Sequence, residues 1–511
     1  MFRKRVNTSL DNDQLDGLIR KLLDIGKQTN CYLIIRFQSL EERRWRYSNQ
    51  EISSADSSSE IGVSIYIIKG QKLGFVVSND LSLVADILQA EIDKLDSYPN
   101  SRLGSKLARL EQEPKDQKLA WDQGQLYTEL EIDLVDSAEA ERLLSSLAKQ
   151  TEQLIDDNQE IQIHQSLGLT LEVETWRIVR SDGTDIGYQL GRARVVTQVT
   201  LTKAGEQLGG YLKHLANSYS ALLDTLGQFL ANIKVEIGLL IDQFGAEEIS
   251  AGSYHLLIDS DLSGTLAHEA FGHASELDHV LQRSSILGDQ SGHYKVGAEF
   301  ASPYLNLVDY QSDQWHGFVP YSGFGNVRKK ANLITSGKIE DGLGDQVSAS
   351  KTKALRSTNA ERSQDYQSVA VPRMSNTYIE LDKSRVVKGD FASYQPRQIQ
   401  EFLLDQGWFE NYQEIVLILG CPGGQVETKE GSFMFGTSYV YLLNSEGYKA
   451  YKPVSFSGKV DSALKSVEYG FGKLETKSSS GYCGKAGQLV PVDAGSHQYL
   501  LLRKDSEVSL A

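Results

Sequence analysis

Gly264-Thr265-Leu266-Ala267-His268-Glu269-Ala270-Phe271-Gly272-His273 lies in a stretch, 264–277, whose pattern predicts a helix. The order H-E-x-x-H would put two imidazoles on one helix face and leave the glutamate as a general base. Here the spacing is one residue longer, H-E-x-x-x-H. In a regular α-helix, positions five apart differ by about 140° around the axis, so the two rings would not face one ion. A π-bulge absorbs one residue and restores a common face. The spacing therefore predicts a helix deformed at 270–272, with Gly272 easing the distortion. Taken alone, the motif leaves two readings open: a divalent-metal site, or a surface helix with two hydrogen-bonded histidines.

Working outward, residues 12–28 carry Leu15, Leu18, Ile19, Leu22 and Leu23 at a helical period. Stretches 31–37, 62–68 and 73–77 read as strands, and 81–95 as a helix. The serine-rich 53–59 reads as an exposed hairpin tip or loop, and the charged 99–118 as a linker. Further on, 143–154 predicts a helix, 169–180 and 192–202 predict strands, and 218–233 predicts one long helix. Beyond Ser253 strand signals and Gly-rich turns dominate, with a second helix at 396–405. No solenoid repeat is present. The expected fold is α+β: a mixed N-terminal region, 1–246, with candidate subdomains 1–100 and 119–246, then a β-rich C-terminal domain, 247–511, carrying the metal-binding helix.

With 511 residues, the chain is long enough for two to four domains. Cys31, Cys421 and Cys483 are odd in number and far apart, which argues against a disulfide framework and for a reducing compartment. The basic Met1-Phe2-Arg3-Lys4-Arg5 is followed by polar residues where a signal peptide needs an apolar run. No apolar stretch is long enough to cross a bilayer. The expected location is the cytoplasm, with no membrane partner. A formal net charge of −16 disfavours nucleic acid as a partner. Arg328-Lys329-Lys330 reads as a solvated strand or turn. There is no G-x-S-x-G elbow, Walker A loop or Rossmann G-x-G-x-x-G.

Five of the nine histidines lie between His255 and His293. Downstream come Pro372-Arg373-Met374-Ser375-Asn376-Thr377, Gly423-Gly424-Gln425-Val426, Phe433-Met434-Phe435-Gly436-Thr437-Ser438 and Gly481-Tyr482-Cys483-Gly484-Lys485-Ala486-Gly487-Gln488. In this order after the H-E-x-x-x-H helix, they resemble the TldD/PmbA family of metallopeptidases, specifically over about 247–497 and more loosely over 1–246. TldD-type members carry the motif and PmbA-type members lack it, so the chain looks TldD-like.

The resemblance implies a cytoplasmic, two-domain peptidase that dimerises around a central cavity, as a homodimer or with a PmbA-type partner. It implies unfolded or flexible peptides as substrates and Zn2+ as the cofactor. It makes His268 and His273 metal ligands, Glu269 the catalytic base and Cys483 the third ligand. A thiolate is a good zinc ligand, and three protein ligands leave a fourth position open for water. Cys421 reads instead as a buried strand-end thiol. Arg373 and Asn376 are candidate substrate-binding residues, with a structural loop as the alternative. Glu276, Asp278, His279, His293 and Glu299 read as solvated or as supports of the ligands, Glu276 or Asp278 by fixing an imidazole tautomer. Two competing functions are a non-catalytic peptide-binding or scaffolding subunit and a metal-dependent amidase acting on a non-peptide substrate.

Overall fold

The computed structural model describes residues 12–100, 125–126, 135–154, 160–310, 315–392 and 394–511. Two large sheets organise them, beside a four-stranded and a two-stranded one. The first has the order Lys72–Ser78, Glu51–Lys69, Tyr32–Ser48, Ile161–Arg180, Asp185–Lys203, with Glu206–Ala216 and the short Gln125–Leu126 both paired to Asp185–Lys203. Side chains alternate across a strand, and the two faces meet different partners. Leu33, Ile35 and Ile65 pack under the helices Asn12–Gln28 and Val84–Lys94. Tyr32, Ile34, Tyr66, Trp176 and Tyr188 turn the other way and pack against Tyr321, Phe324 and Tyr366.

The second sheet has eleven strands. Its spine runs Leu305–Asp309, Asn376–Leu381, Gln488–Leu502, Leu256–Asp259, Glu414–Leu419, Tyr439–Asn444. It is mixed: Asn376–Leu381 pairs in parallel with Gln488–Leu502, and Leu256–Asp259 with Glu414–Leu419. Alternation again divides the faces. Leu256, Ile258, Val416 and Ile418 share a core with the histidine-bearing helix. Leu257, Ile415, Leu417 and Leu419 face the helices Leu226–Gln243 and Pro396–Asp405, in a core that also holds Trp45 and Leu169 of the first sheet. One apolar core therefore joins the two sheets.

The mixed α+β class expected from the sequence is the class observed. Several elements differ in detail. Residues 54–59 are paired strand, opposite 41–46 of Tyr32–Ser48, with Ser53 at a register shift, and the hairpin turn is at Asn49 and Gln50. Continuing cross-strand pairing overrides a serine-rich composition there. The expected single helix from 218 is two, Tyr219–Asp224 and Leu226–Gln243, broken at Thr225. The Thr225 hydroxyl contacts His214 Nε2 at 2.8 Å, a tie to the neighbouring strand that local periodicity does not encode. Arg328 is a buried ion-pair partner of Asp309, at 2.9 Å, rather than a solvated cation. The expected linker lies, from residue 101 on, outside the described residues, as does the basic N-terminus. No helix among the described residues is long and apolar enough to cross a membrane.

Candidate metal centre

The helix that carries the motif starts at Ser260, where the Asp259 carboxylate accepts from the Leu262 N–H at 2.9 Å as an N-cap. It packs closely on Gln488–Leu502: a Cβ on Gly264 would come within 2.7 Å of the Gly495 backbone nitrogen. The first turns, Ser260–Thr265, are α-helical, and Leu266–Gly272 is a π-helix. The His273 N–H donates to the His268 carbonyl five residues back. That bond takes up the extra residue and returns both rings to one side.

Gly272 serves a different purpose from the one expected of it. Its φ of −54° is ordinary helical backbone, open to any residue. What it provides is space, because a Cβ there would fall 2.0 Å from Met374 Sδ. Met374 is fully buried in the core against this helix.

His268, His273 and Cys483 are all buried, and their ligating atoms lie within 4.8 Å of one another. The two imidazoles stand nearly perpendicular, with ring centroids 5.3 Å apart. Cys483 Sγ is 3.3 Å from His273 Nε2, although 210 residues separate them in the chain. Cys483 lies in Val467–Lys485, paired with Gln488–Leu502, and its side of that ribbon faces the helix core. Arg373, fully buried, donates to the Cys483 carbonyl and, at 3.5 Å, to the Lys485 carbonyl. It braces the backbone that presents the thiol. Asn376 is buried at the start of its strand, opposite Asp493. Glu269 is less buried, and its carboxylate is 3.7 Å from His273 Nε2, on the side where the thiol also lies.

Behind His273 is a charged support. Glu276 is completely buried and faces His273 Nδ1 at 3.1 Å. Lys485 donates to Glu276 and to Asp278, each at 2.8 Å, and to the Pro372 carbonyl at 3.1 Å. Burial alone would raise the Glu276 pKa, but His273 and Lys485 together hold it down at about 2. An anionic Glu276 fixes the proton of His273 on Nδ1 and leaves Nε2 directed at the cluster. Burial acts to lower the His273 pKa, and Glu276 and Cys483 more than reverse this, raising it well above the ordinary value. Burial acts to raise the thiol of Cys483, and His268 and His273 outweigh it, bringing the thiol down to about 4.

This donor set fits a zinc-type ion. Both ring nitrogens of His268 are buried with no hydrogen-bond partner, a costly arrangement that a coordinated cation would relieve at one of them. Two imidazole nitrogens and a thiolate are donors zinc accepts, and three protein donors leave a coordination position free. The nearby Glu276, Asp278 and His279 also cluster closely, but the Lys485 ammonium already bonds both of their carboxylates. His293 stands instead beside Asp289, 3.6 Å away. Cys421 is only partly buried, just beyond Glu414–Leu419, with its N–H bonded to Asp261 and its thiol pushed up to about 12 by burial and then by Asp261.

Sequence reasoning reached His268, Glu269 and His273 by spacing and Glu276 as a neighbour three residues on, but gave Lys485 no role. The available signal was the strand period: Lys485 is two residues from Cys483 and so shares its face.

Comparison with known proteins gives two matches to models of one family. Residues 251–486 match the PmbA/TldA metallopeptidase C-terminal domain, and residues 34–95 match PmbA/TldA metallopeptidase domain 1. A metalloprotease of Methanocaldococcus jannaschii, MJ0996, is 27% identical over 489 residues, 93% of this chain and 96% of that protein. A zinc metalloprotease TldD homolog of Saccharolobus solfataricus is 27% identical over 273 residues, 53% of this chain and 54% of that one. The crystal structure of TldE from Thermococcus kodakarensis superposes with a TM-score of 0.65 at 14% identity, covering 97% of this chain and 100% of that one, a likeness of fold.

Proposed function

Because this chain belongs to the PmbA/TldD metallopeptidase family, we propose that it is a zinc-dependent peptidase that hydrolyses unfolded or flexible peptides. The observation that carries this reading is the convergence of His268, His273 and Cys483 beside Glu269. In this reading the first three hold the ion. Bound zinc supplies Lewis acidity that makes water nucleophilic near neutral pH and polarises the scissile carbonyl. Glu269 takes the proton of the attacking water and returns it to the leaving amine. A purely structural metal site would have no use for that base.

Glu276 and Lys485 act as positioning residues: they hold His273 in one tautomer and rotamer. Arg373 positions the Cys483 strand, and its complete burial favours that role over substrate contact. An extended peptide pairing through its backbone would gain affinity with little sequence selectivity. We place the enzyme in the cytoplasm, where its three free cysteines would stay reduced. We also propose a dimer, with itself or with a PmbA-type partner, a reading supported by the fold shared with TldE.

The test joins metal content with activity. Glu269→Ala should retain the metal and lose hydrolysis of an unstructured peptide. His268→Ala and Cys483→Ala should lose most of the metal. Hydrolysis that survives both a chelator and Glu269→Ala would refute the assignment.

A further inference from the structure

The hairpin that presents Cys483 has a second face. Tyr482 pairs with Pro491, Cys483 with Val490, and Gly484 with Leu489. Cys483 and Val490 point into the metal-site core. Tyr482, Leu489 and Pro491 point the other way and line a cavity of about 410 Å³ between this ribbon and the first sheet. The volume is in the range of small-molecule sites. The apolar part of its wall comes from Trp176, Tyr188 and Tyr321, and the charged part holds five arginines against three glutamates, Glu42, Glu172 and Glu174.

Not all of those arginines are neutralised. Arg192 bonds Glu172 at 2.7 Å and Glu174 at 2.8 Å, and Arg44 bonds Glu42 at 2.7 Å. Arg36 and Arg362 differ. Arg36 is fully buried and donates to Tyr66 Oη, Ser363 Oγ and the carbonyls of Ser368 and Asp365, all uncharged acceptors. Its Nε has no partner. The ring of Trp176, 5.1 Å away, takes up part of the charge. Arg362 is also buried, and its hydrogen bond goes to the Met374 carbonyl at 2.7 Å. No carboxylate forms an ion pair with either among the described residues. Burial, then Arg328, Arg373 and Arg192, push the Arg362 guanidinium down to about 9, outweighing the opposite charge of Asp309.

A buried cation without a counter-ion is costly. Two of them in the wall of one cavity, neither ion-paired to a carboxylate, would be stabilised by an anion from outside. We propose that this cavity is a binding site for a carboxylate carried on an apolar or aromatic body, with Arg362, which commits one terminal nitrogen to the Met374 carbonyl, holding the carboxylate, the Arg36 charge in the same wall, and Trp176, Tyr188 and Tyr482 enclosing the body. A planar fork of N–H donors matches a carboxylate in geometry as well as charge. The site lies on the opposite face of the ribbon from the metal cluster. It does not depend on the peptidase assignment.

Calorimetry on the full chain tests it with N-acetylphenylalanine and N-acetylphenylalaninamide, which differ in the charged group alone. The acid should bind and the amide should not. Arg362→Gln, which keeps an N–H donor for the Met374 carbonyl, should weaken binding of the acid about tenfold or more, the size expected for losing one charged hydrogen bond. Arg362→Met removes an uncompensated charge at similar volume, so it should raise the melting temperature of the ligand-free protein; a purely structural arginine would lower it. Equal binding of acid and amide, no binding of either, or a destabilised Arg362→Met overturns the proposal. Two sources of the carboxylate give distinct supporting results. Displacement of the probe by an unstructured peptide with a free C-terminus, but not by its amidated form, assigns a peptide end. A probe that neither peptide displaces assigns a free small carboxylate.

Discussion

Lys485 and Glu276 show how far the candidate metal centre would depend on groups that touch neither metal nor substrate. Glu276 is wholly enclosed, and Lys485 is 10% exposed. Removing one partner of a buried pair leaves an uncompensated charge and costs about 3–5 kcal/mol. Lys485→Met is therefore expected to lower stability by about that amount in denaturant titration. It should also weaken metal affinity by about 10–100-fold, as losing the support of a ligating histidine does. Lys485→Met combined with Glu276→Gln removes both charges and should recover most of the stability but little of the affinity, because His273 would still lack its anionic partner. A double variant no more stable than Lys485→Met alone would rule out charge pairing as the reason. Residues of this kind are hard to read from a sequence. Glu276 lies close to a recognised motif, whereas Lys485 becomes visible only once Cys483 is known to share its strand face.

At the scale of elements, the π-turn is the clearest case of a structural feature readable from spacing. The interval of five between His268 and His273 is incompatible with one face of an α-helix, and the observed His273-to-His268 backbone bond resolves it. The part that spacing did not reveal is tertiary: Gly272 is small because Met374 occupies the space beside it. Gly272→Ala should thus cost about 1–3 kcal/mol, the range for overpacking a filled core. In a Met374→Ala background, the same substitution should cost almost nothing. A full double-mutant cycle by denaturant unfolding checks this, and strict additivity would show that the glycine is required for another reason. The helix Pro396–Asp405 was legible to its ends because its signals are local: proline in its first turn and a reciprocal Gln395–Gln398 capping box. Residues 53–59 and the break at Thr225 were not, because pairing with a distant strand decides both. The same distinction separates the two halves of the candidate site: His268, Glu269 and His273 fall within one helical stretch, while Cys483 lies 210 residues from His273 and was reached only through family resemblance.

Across the whole molecule, the helix Leu226–Gln243 joins the sheets, and it does so with a carboxyl group as well as apolar side chains. Tyr439 of the second sheet donates to Glu236 at 2.6 Å, and Gly210 of the first sheet leaves room for the same carboxyl group. Burial raises the Glu236 pKa to about 7, against the Tyr439 hydrogen bond, which lowers it. In the unfolded chain the group ionises near about 4.3. Between those two values the folded state holds a proton that the unfolded state has lost, so stability falls as pH rises through this window and levels off above about 7. The shift corresponds to a ceiling of about 4 kcal/mol, reduced because the side chain keeps some contact with solvent. Glu236→Gln keeps an acceptor for Tyr439 and has no charge to bury. It should match the wild type at about pH 4 and exceed it in melting temperature at about pH 8. A difference between the two proteins that stays constant over that range would mean that the junction does not hold an ionisable group in this way.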